Sequence, residues 1–474
     1  MVATVSARKI DGAYGEAVPD RGAPFDNLVT RLKYCLTALC VVGLLPLSAV
    51  AQIAEPLQPF AVPIGGPQLP APGERPVPPG ETVATRPHPE FDPNGLRLGN
   101  FFWFPHAELE GSYNSNIFAT PTNPTSDLIG TLAPSFDLLS NFPRNALNLR
   151  GTSALQGYAN HPAQNTQDGT VTVDGRLDVS AGSSLYGNAS VAHLNIPYGS
   201  PNSPGSIAQP VTYWEYIARA GYVQGVRRFS YQVDVGVDAA QYNAAQLVGG
   251  GVLPQSSQDA SISSAAVRAG YELVPDYVGW IRVGGSLYDY WHTVPGGTRA
   301  NSKSYRVDVG LQIAPRHIIY GEAYVGYVIQ NFDQSNLGST SSPDYGGRLV
   351  WNLTRLTTLT FTGKLNFNTG TPSSGTMAIP GPAGNGYLAQ TITANADHEL
   401  LRNLLVTLNA SYENDSFQGI TRTDNFFTAS AGLRYLVNRN LFLGGSFSYY
   451  QRSSSLAGVS FSQNILMLRV GTQF

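Results

Sequence analysis

Charged side chains are sparse in this chain and fall on alternate residues. Asp174, Arg176 and Asp178 interleave with Val173, Leu177 and Val179. Asp234 and Asp238 interleave with Val233, Val235 and Val237, and Arg306 and Asp308 with Tyr305, Val307 and Val309. Such spacing puts guanidinium and carboxylate groups on one face of an extended strand, where they can solvate ions or polar solutes. Residues for covalent chemistry lack the spacing they need. The seven histidines, His88, His106, His161, His193, His292, His317 and His398, form no H-E-x-x-H or other ligand pattern. There is no complete G-x-S-x-G elbow. Gly384-Asn385-Gly386 with Ala389 is the nearest phosphate-type match, and it opens a strand pattern, without the helix N-terminus that holds phosphate. Cys35 and Cys40, the two cysteines, lie in the leader, so the processed chain has no thiol, disulfide or Cys-based metal site. The expected chemistry is non-covalent, with no catalytic residues, cofactor or metal.

The elements that carry these charges are strands. About eighteen segments of roughly ten residues alternate apolar and polar side chains from Leu98 to Phe474. Either a soluble sheet packed on one side or a membrane barrel gives that pattern, and connector rhythm decides between them. Short connectors (Ser140 to Arg144, Ala181 to Ser183, Gln224 to Arg227, Pro275-Asp276, Pro315-Arg316, Thr354 to Leu356, Leu401 to Asn403, Asn438-Arg439) take turns with long polar ones. The long ones include Asn114 to Ser126, Asn195 to Pro210, Phe332 to Pro343, Asp415 to Thr423 and Ser453 to Val459. Tight turns at one end and long loops at the other indicate an all-β, transmembrane, antiparallel up-and-down β-barrel of about eighteen strands. Composition agrees. Among 474 residues 13% are charged, against about 25% in soluble domains, with 25 Tyr and 20 Phe. No run of eighteen apolar residues marks a membrane helix. A net charge of -3 without a basic cluster gives no nucleic-acid partner.

Three regions follow. Residues 1–51 form a leader: Arg31 and Lys33 precede an apolar run ending in Ala49-Val50-Ala51, which places signal cleavage before Gln52. The residues before Arg31 exceed an ordinary leader, so initiation is expected near Leu28 or Val29. Residues 52–97 are a proline-rich, disordered periplasmic tether, since proline removes donors and fixes φ. Residues 98–474 are the barrel. Its last strand sets Leu466, Leu468, Val470, Thr472 and Phe474 on one face, and the final aromatic, Phe474, reads as a signal for the outer-membrane assembly machinery. Tyr113, Trp214, Tyr222, Phe229, Tyr271, Tyr277, Tyr435 and Tyr449 fall near strand ends, as interfacial girdles or through strand propensity.

With lipid on the apolar face, the alternate residues line the lumen. The expected cations are Arg150, Arg176, Arg219, Arg268, Arg282, Arg306, Arg348, Lys364, Arg434 and Arg469. The expected anions are Asp174, Asp178, Glu215, Asp234, Asp238, Glu272, Asp308, Glu322, Asp397 and Glu413, with Glu108 and Glu110. The two sets nearly balance, which predicts cross-strand pairs and little charge selectivity. Eighteen strands leave room for an aqueous channel unless a loop or the tether enters it.

Phe101-Phe102-Trp103-Phe104-Pro105 leading to Tyr113-Asn114-Ser115-Asn116, Arg144-Asn145-Ala146-Leu147-Asn148-Leu149-Arg150-Gly151, Asp174-Gly175-Arg176-Leu177-Asp178-Val179, His398-Glu399-Leu400-Leu401-Arg402-Asn403 and Arg434-Tyr435-Leu436-Val437-Asn438-Arg439 resemble the outer-membrane family called putative beta-barrel porin type 2. The resemblance spans the barrel and implies a channel in the outer membrane of a Gram-negative bacterium, set in outer-membrane lipid. It supplies no catalytic residues. Some members are associated with surface-polysaccharide export. That adds an alternative in which the tether docks periplasmic polysaccharide-export proteins and Tyr186, Tyr288, Tyr324 and Tyr450 present surfaces to sugar rings. A third reading is a structural or adhesive barrel with a closed lumen.

Overall fold

The structure, a computed structural model, describes residues 80–200, 203, 207–293, 301–334, 338–368, 387–417 and 421–474. The leader, its expected cleavage site, the first part of the proline segment and Gly384-Asn385-Gly386 lie outside the described residues.

Eighteen strands form one wall. They are β1 (Phe101–Asn114), β2 (Asp127–Ser140), β3 (Ala146–Tyr158), β4 (Thr166–Ser180), β5 (Ser183–Ile196), β6 (Val211–Val226), β7 (Phe229–Tyr242), β8 (Ala260–Val274) and β9 (Tyr277–Tyr290). They continue as β10 (Ser302–Ile313), β11 (Ile319–Phe332), β12 (Ser339–Thr354), β13 (Thr357–Asn368), β14 (Tyr387–Leu401), β15 (Leu404–Phe417), β16 (Thr423–Leu436), β17 (Leu441–Ser454) and β18 (Phe461–Gln473). Each pairs antiparallel with its neighbours in sequence, and β18 returns to β1 from His106↔Gln473 to Asn114↔Ile465. A bilayer core offers backbone groups no water, and each unpaired one costs several kcal/mol there, so only a closed sheet is stable in it. The single registers that join β1 to both β2 and β18 remove every edge.

A fourteen-residue strand such as β9 is about 46 Å long. Tilted by about 40° it rises roughly 35 Å, more than the apolar band of about 25 Å such barrels need. The excess projects past the membrane, chiefly at the long-loop end. There β12 begins at Ser339 and β15 runs to Phe417, inside stretches that the sequence pattern assigns to loops.

Alternation sorts the side chains. Leu109, Val235, Val267, Ile281, Val309, Val325, Leu433 and Leu468 point outward and are exposed, Val325 and Leu468 by 67% each. Their neighbours Glu110, Asp234, Arg268, Arg282 and Asp308 point inward and are buried. The girdle positions are outward too, with Phe229 against Tyr271 (centroids 4.9 Å apart) at the short-turn end and Trp214 stacked on Tyr216 (6.5 Å) at the other.

Where the inner wall carries a large ring, the next strand makes room for it. Trp280 on β9 lies over Gly310 on β10, where a Cβ would come 2.4 Å from the indole and 2.8 Å from the Ala323 carbonyl oxygen. Gly310→Val therefore overpacks the wall, a change that costs about 1–3 kcal/mol. It is expected to lower the temperature at which the compact, heat-modifiable gel band is lost. Gly363→Val, at a position with nothing within 4 Å, should leave that temperature unchanged.

Candidate functional site: the lumen and its two mouths

The inward face of the wall holds the site. Arg282 and Asp308, directly opposite in register, meet at 2.6 Å, and Arg306 reaches Asp344 at 2.9 Å. Arg268 crosses two strands. Its guanidinium lies 3.9 Å from the Trp280 ring centre and donates to Gln312 (3.2 Å) and Glu322 (3.1 Å). Further round the cylinder Arg150 pairs with Asp137 (2.5 Å), Arg176 with Asp178 (2.8 Å), Arg219 with Asp238 (3.1 Å) and Arg469 with Glu108 (3.1 Å). Arg434 lies 4.2 Å from the Phe442 ring centre and donates to Gln473.

Other carboxylates meet neutral donors. Asp174 accepts from Asn148 (2.8 Å), Asp397 from Asn395 (2.8 Å) and Thr407 (2.9 Å), Glu413 from Thr391 (2.9 Å), and Glu272 from the Asp276 amide (3.2 Å). Asp234 accepts from the Tyr186 hydroxyl, which itself accepts from Gln232 at 2.6 Å. Glu215, Arg348 and Lys364 also lie on the inward face, and Arg348 has no ion pair among the described residues.

This lining differs from the expected balance. The strands carry seven further inward carboxylates, Asp127, Asp137, Asp168, Asp344, Glu399, Asp415 and Asp424, and one further guanidinium, Arg452. The inner wall is thus distinctly acidic. The added acids sit beside segments that read as loops or turns, where alternation is too short to assign a face. Of the four tyrosines considered for sugar contacts, Tyr288 and Tyr450 are buried, Tyr186 is committed to Asp234, and Tyr324 packs 6.0 Å from Trp280.

The end of the proline segment occupies the short-turn mouth. Residues 80–97, expected to be unstructured tether, contact inward-facing side chains one after another. The Tyr320 hydroxyl donates to the Gly80 carbonyl (2.6 Å), Asn352 to the Glu81 carbonyl (3.0 Å), and the Val83 amide to Thr358 (3.0 Å). Val83 is 2% exposed. Glu399 is the hub, 3.0 Å from Arg86 and 3.6 Å from His88, with Arg402 at 3.9 Å. Arg439 and Gln473 then donate to the Pro89 and Phe91 carbonyls. The chain leaves the mouth through Leu96–Leu98, which pairs with Phe101–Trp103 on β1. Proline content hides this docking, because four of its bonds run from wall side chains to segment carbonyls, which proline retains.

At the long-loop mouth the described start of the β5–β6 connector, residues 197–200, folds over its neighbours. Tyr198 packs against Phe118 (5.4 Å), which meets His161 at 5.6 Å. Burial, then Tyr158 beside it, raises the Tyr198 phenol above its ordinary value, so it stays a donor to Gln164 (2.7 Å). The Gly199 carbonyl accepts from Arg452 on β17 (2.9 Å), whose other nitrogen binds Asp424 at 2.6 Å. Ile196, Ile207, Val211, Tyr213, Ala240 and Ala245 form a small core beneath.

Removing one partner of a desolvated ion pair costs more than the pair contributes. Arg86 is partly exposed, with a side-chain accessibility of 22%, which reduces the effect. Glu399→Gln is expected to raise cleavage after Glu81, the other partner of Arg86 at 2.8 Å, by a glutamate-specific protease about tenfold in detergent-solubilised barrel, read by mass spectrometry. An unchanged rate would show that the hub does not hold the segment.

A search of curated protein sequences finds no match. Among solved structures the chain is similar to the outer membrane protein OpdK from Pseudomonas aeruginosa, with 11% identity and TM-score 0.41, covering 78% of this chain and 99% of that one. It is also similar to OccAB3 from Acinetobacter baumannii (12%, TM-score 0.39, 78% and 99%) and to the ferric citrate transporter FecA (11%, TM-score 0.40, 79% and 61%). Residues 88–474 match the family described as putative beta-barrel porin 2, and the chain belongs to that family.

Proposed function

We propose that this protein is a non-enzymatic diffusion channel in the outer membrane of a Gram-negative bacterium, passing small hydrophilic solutes with a preference for cations. The observation that carries the reading is a closed eighteen-strand cylinder whose inward face is polar along its length and holds more carboxylates than guanidiniums. A cylinder of this strand number has a bore wider than its side chains fill. The docked segment at one mouth and residues 197–200 at the other narrow that bore, so small solutes fit better than polymers. One-sided charge in a confined passage favours the opposite sign. Glu110 and Asp415, buried among other acids, are not needed for the excess.

In planar bilayers under a KCl gradient the purified barrel is expected to give steps whose reversal potential has the sign of cation selectivity. Asp174→Asn with Asp397→Asn, two acids that accept from neutral donors, should lower the cation-to-anion permeability ratio by about twofold while conductance persists. Silence in the bilayer would end the channel reading, and a ratio favouring anions would end the cation preference.

Assembly-factor recognition is proposed for the last strand. Phe474 is 48% exposed beyond β18, its amide bonded to the Pro105 carbonyl. Phe474→Ala is expected to reduce outer-membrane yield about fivefold and leave refolding in detergent unchanged. Equal yield would reject the signal.

A further inference from the structure

The turns at the short-turn mouth share arginines that line no part of the bore, although Arg402 and Arg439 also reach the docked segment and its hub. Arg144 lies between β2 and β3, Arg227 and Arg228 between β6 and β7, and Arg316 between β10 and β11. Arg355, Arg402 and Arg439 occupy the next three turns, and all seven side chains are exposed. Arg144, Arg227, Arg228 and Arg355 have no ion pair among the described residues. Arg316 and Arg402 have only long ones, at 3.8 to 3.9 Å. By contrast, in the full sequence the nine long connectors hold two basic residues, Arg299 and Arg422, and Arg422 is 2.7 Å from Asp424.

Five of the seven arginines adjoin exposed apolar residues of the outward face. Val226 and Phe229 flank Arg227-Arg228, and Ile318 and Ile319 follow Arg316. Leu353 and Leu356 flank Arg355, and Leu400 and Leu401 precede Arg402. An apolar foot in hydrocarbon sets a guanidinium at headgroup depth, where it can hold phosphate oxygens in a fork.

We propose that this rim is a collar that binds the phosphates of anionic phospholipids in the leaflet facing the short turns. The arginines occupy six of the eight short turns and so encircle the barrel. That distribution suits an annulus of lipid, whereas a soluble acidic partner would need them gathered on one side. The proposal rests on the barrel crossing a membrane and is independent of whether its lumen conducts.

The test is native mass spectrometry of the purified full chain, delipidated and titrated with phosphatidylglycerol or phosphatidylcholine. Wild type is expected to retain several phosphatidylglycerol molecules with about tenfold preference over phosphatidylcholine. A variant carrying Arg144→Gln, Arg227→Gln, Arg228→Gln and Arg355→Gln should lose that preference while keeping the heat-modifiable band. Arg227→Gln with Arg228→Gln alone, which disturbs one turn, should lower it partway. Equal retention of the two lipids by wild type would overturn the collar, as would an undiminished preference in the variants. So would tighter binding of dextran sulfate than of phosphatidylglycerol by barrel in phosphatidylcholine nanodiscs, which would indicate a soluble polyanion. Bilayer conductance of the same samples separates the two proposals: a silent barrel that keeps the lipid preference retires the channel and leaves the collar standing.

Discussion

Hydrocarbon cannot hydrogen-bond a peptide group, and the rest of this molecule follows from that. With edges forbidden, the wall closes, and the nine residue pairs from His106↔Gln473 to Asn114↔Ile465 are as necessary as any interior ladder. Closure fixes two faces, and strand period two delivers alternate residues to each. Val307 and Val309 can be exposed without cost because lipid covers them, and Arg306 and Asp308 can be inward because water and each other's strands solvate them. A soluble sheet would require the reverse assignment.

The interior then becomes a problem in electrostatics. Isolated charges on a confined wall are expensive to desolvate, so most cations sit within 3.1 Å of a carboxylate. The acids exceed the cations, and the remainder settle on amides and hydroxyls such as Asn148, Asn395, Thr407 and Tyr186. A neutral donor steadies a carboxylate without cancelling its field. A lumen built this way stays ordered and still carries net negative potential, which a fully salt-bridged wall would not.

Legibility in the sequence tracked how local each interaction is. The clean alternation of Phe229 to Val237 and Tyr305 to Ile313 made strand identity, face and approximate number readable, because those depend on neighbours one and two residues away. Register partners such as Arg282 and Asp308 were readable only as members of a face. The reach of Arg268 over Trp280 to Glu322, fifty-four residues on, depends on wall curvature and has no sequence period. Asp344, Asp415 and Asp424 were missed because strands outlast the membrane. Beyond the lipid, the outward residue need not be apolar, and the alternation that announces a strand fades while its hydrogen bonds continue. Residues 80–97 were misjudged for a related reason: composition excludes a ladder there, but a segment can be held by wall side chains donating to its carbonyls.

The two ends of the cylinder solve different problems with the same backbone. At the long-loop end Tyr198, Phe118 and the Ile196 core bury apolar area among loops, and Arg452 ties the β5–β6 connector to the far strands. At the short-turn end the turns are too brief to bury anything, so their arginines stay exposed above the aliphatic collar while the chain's own residues 80–97 fill the mouth from within. Acid therefore faces the bore and base faces the rim. Water screens a rim charge within about a Debye length, roughly 8 Å at physiological salt, whereas the low-dielectric wall focuses the field of the lumen acids along the bore. The separation lets the turns be basic without making the passage anionic in preference, so each charge set can be altered without the other.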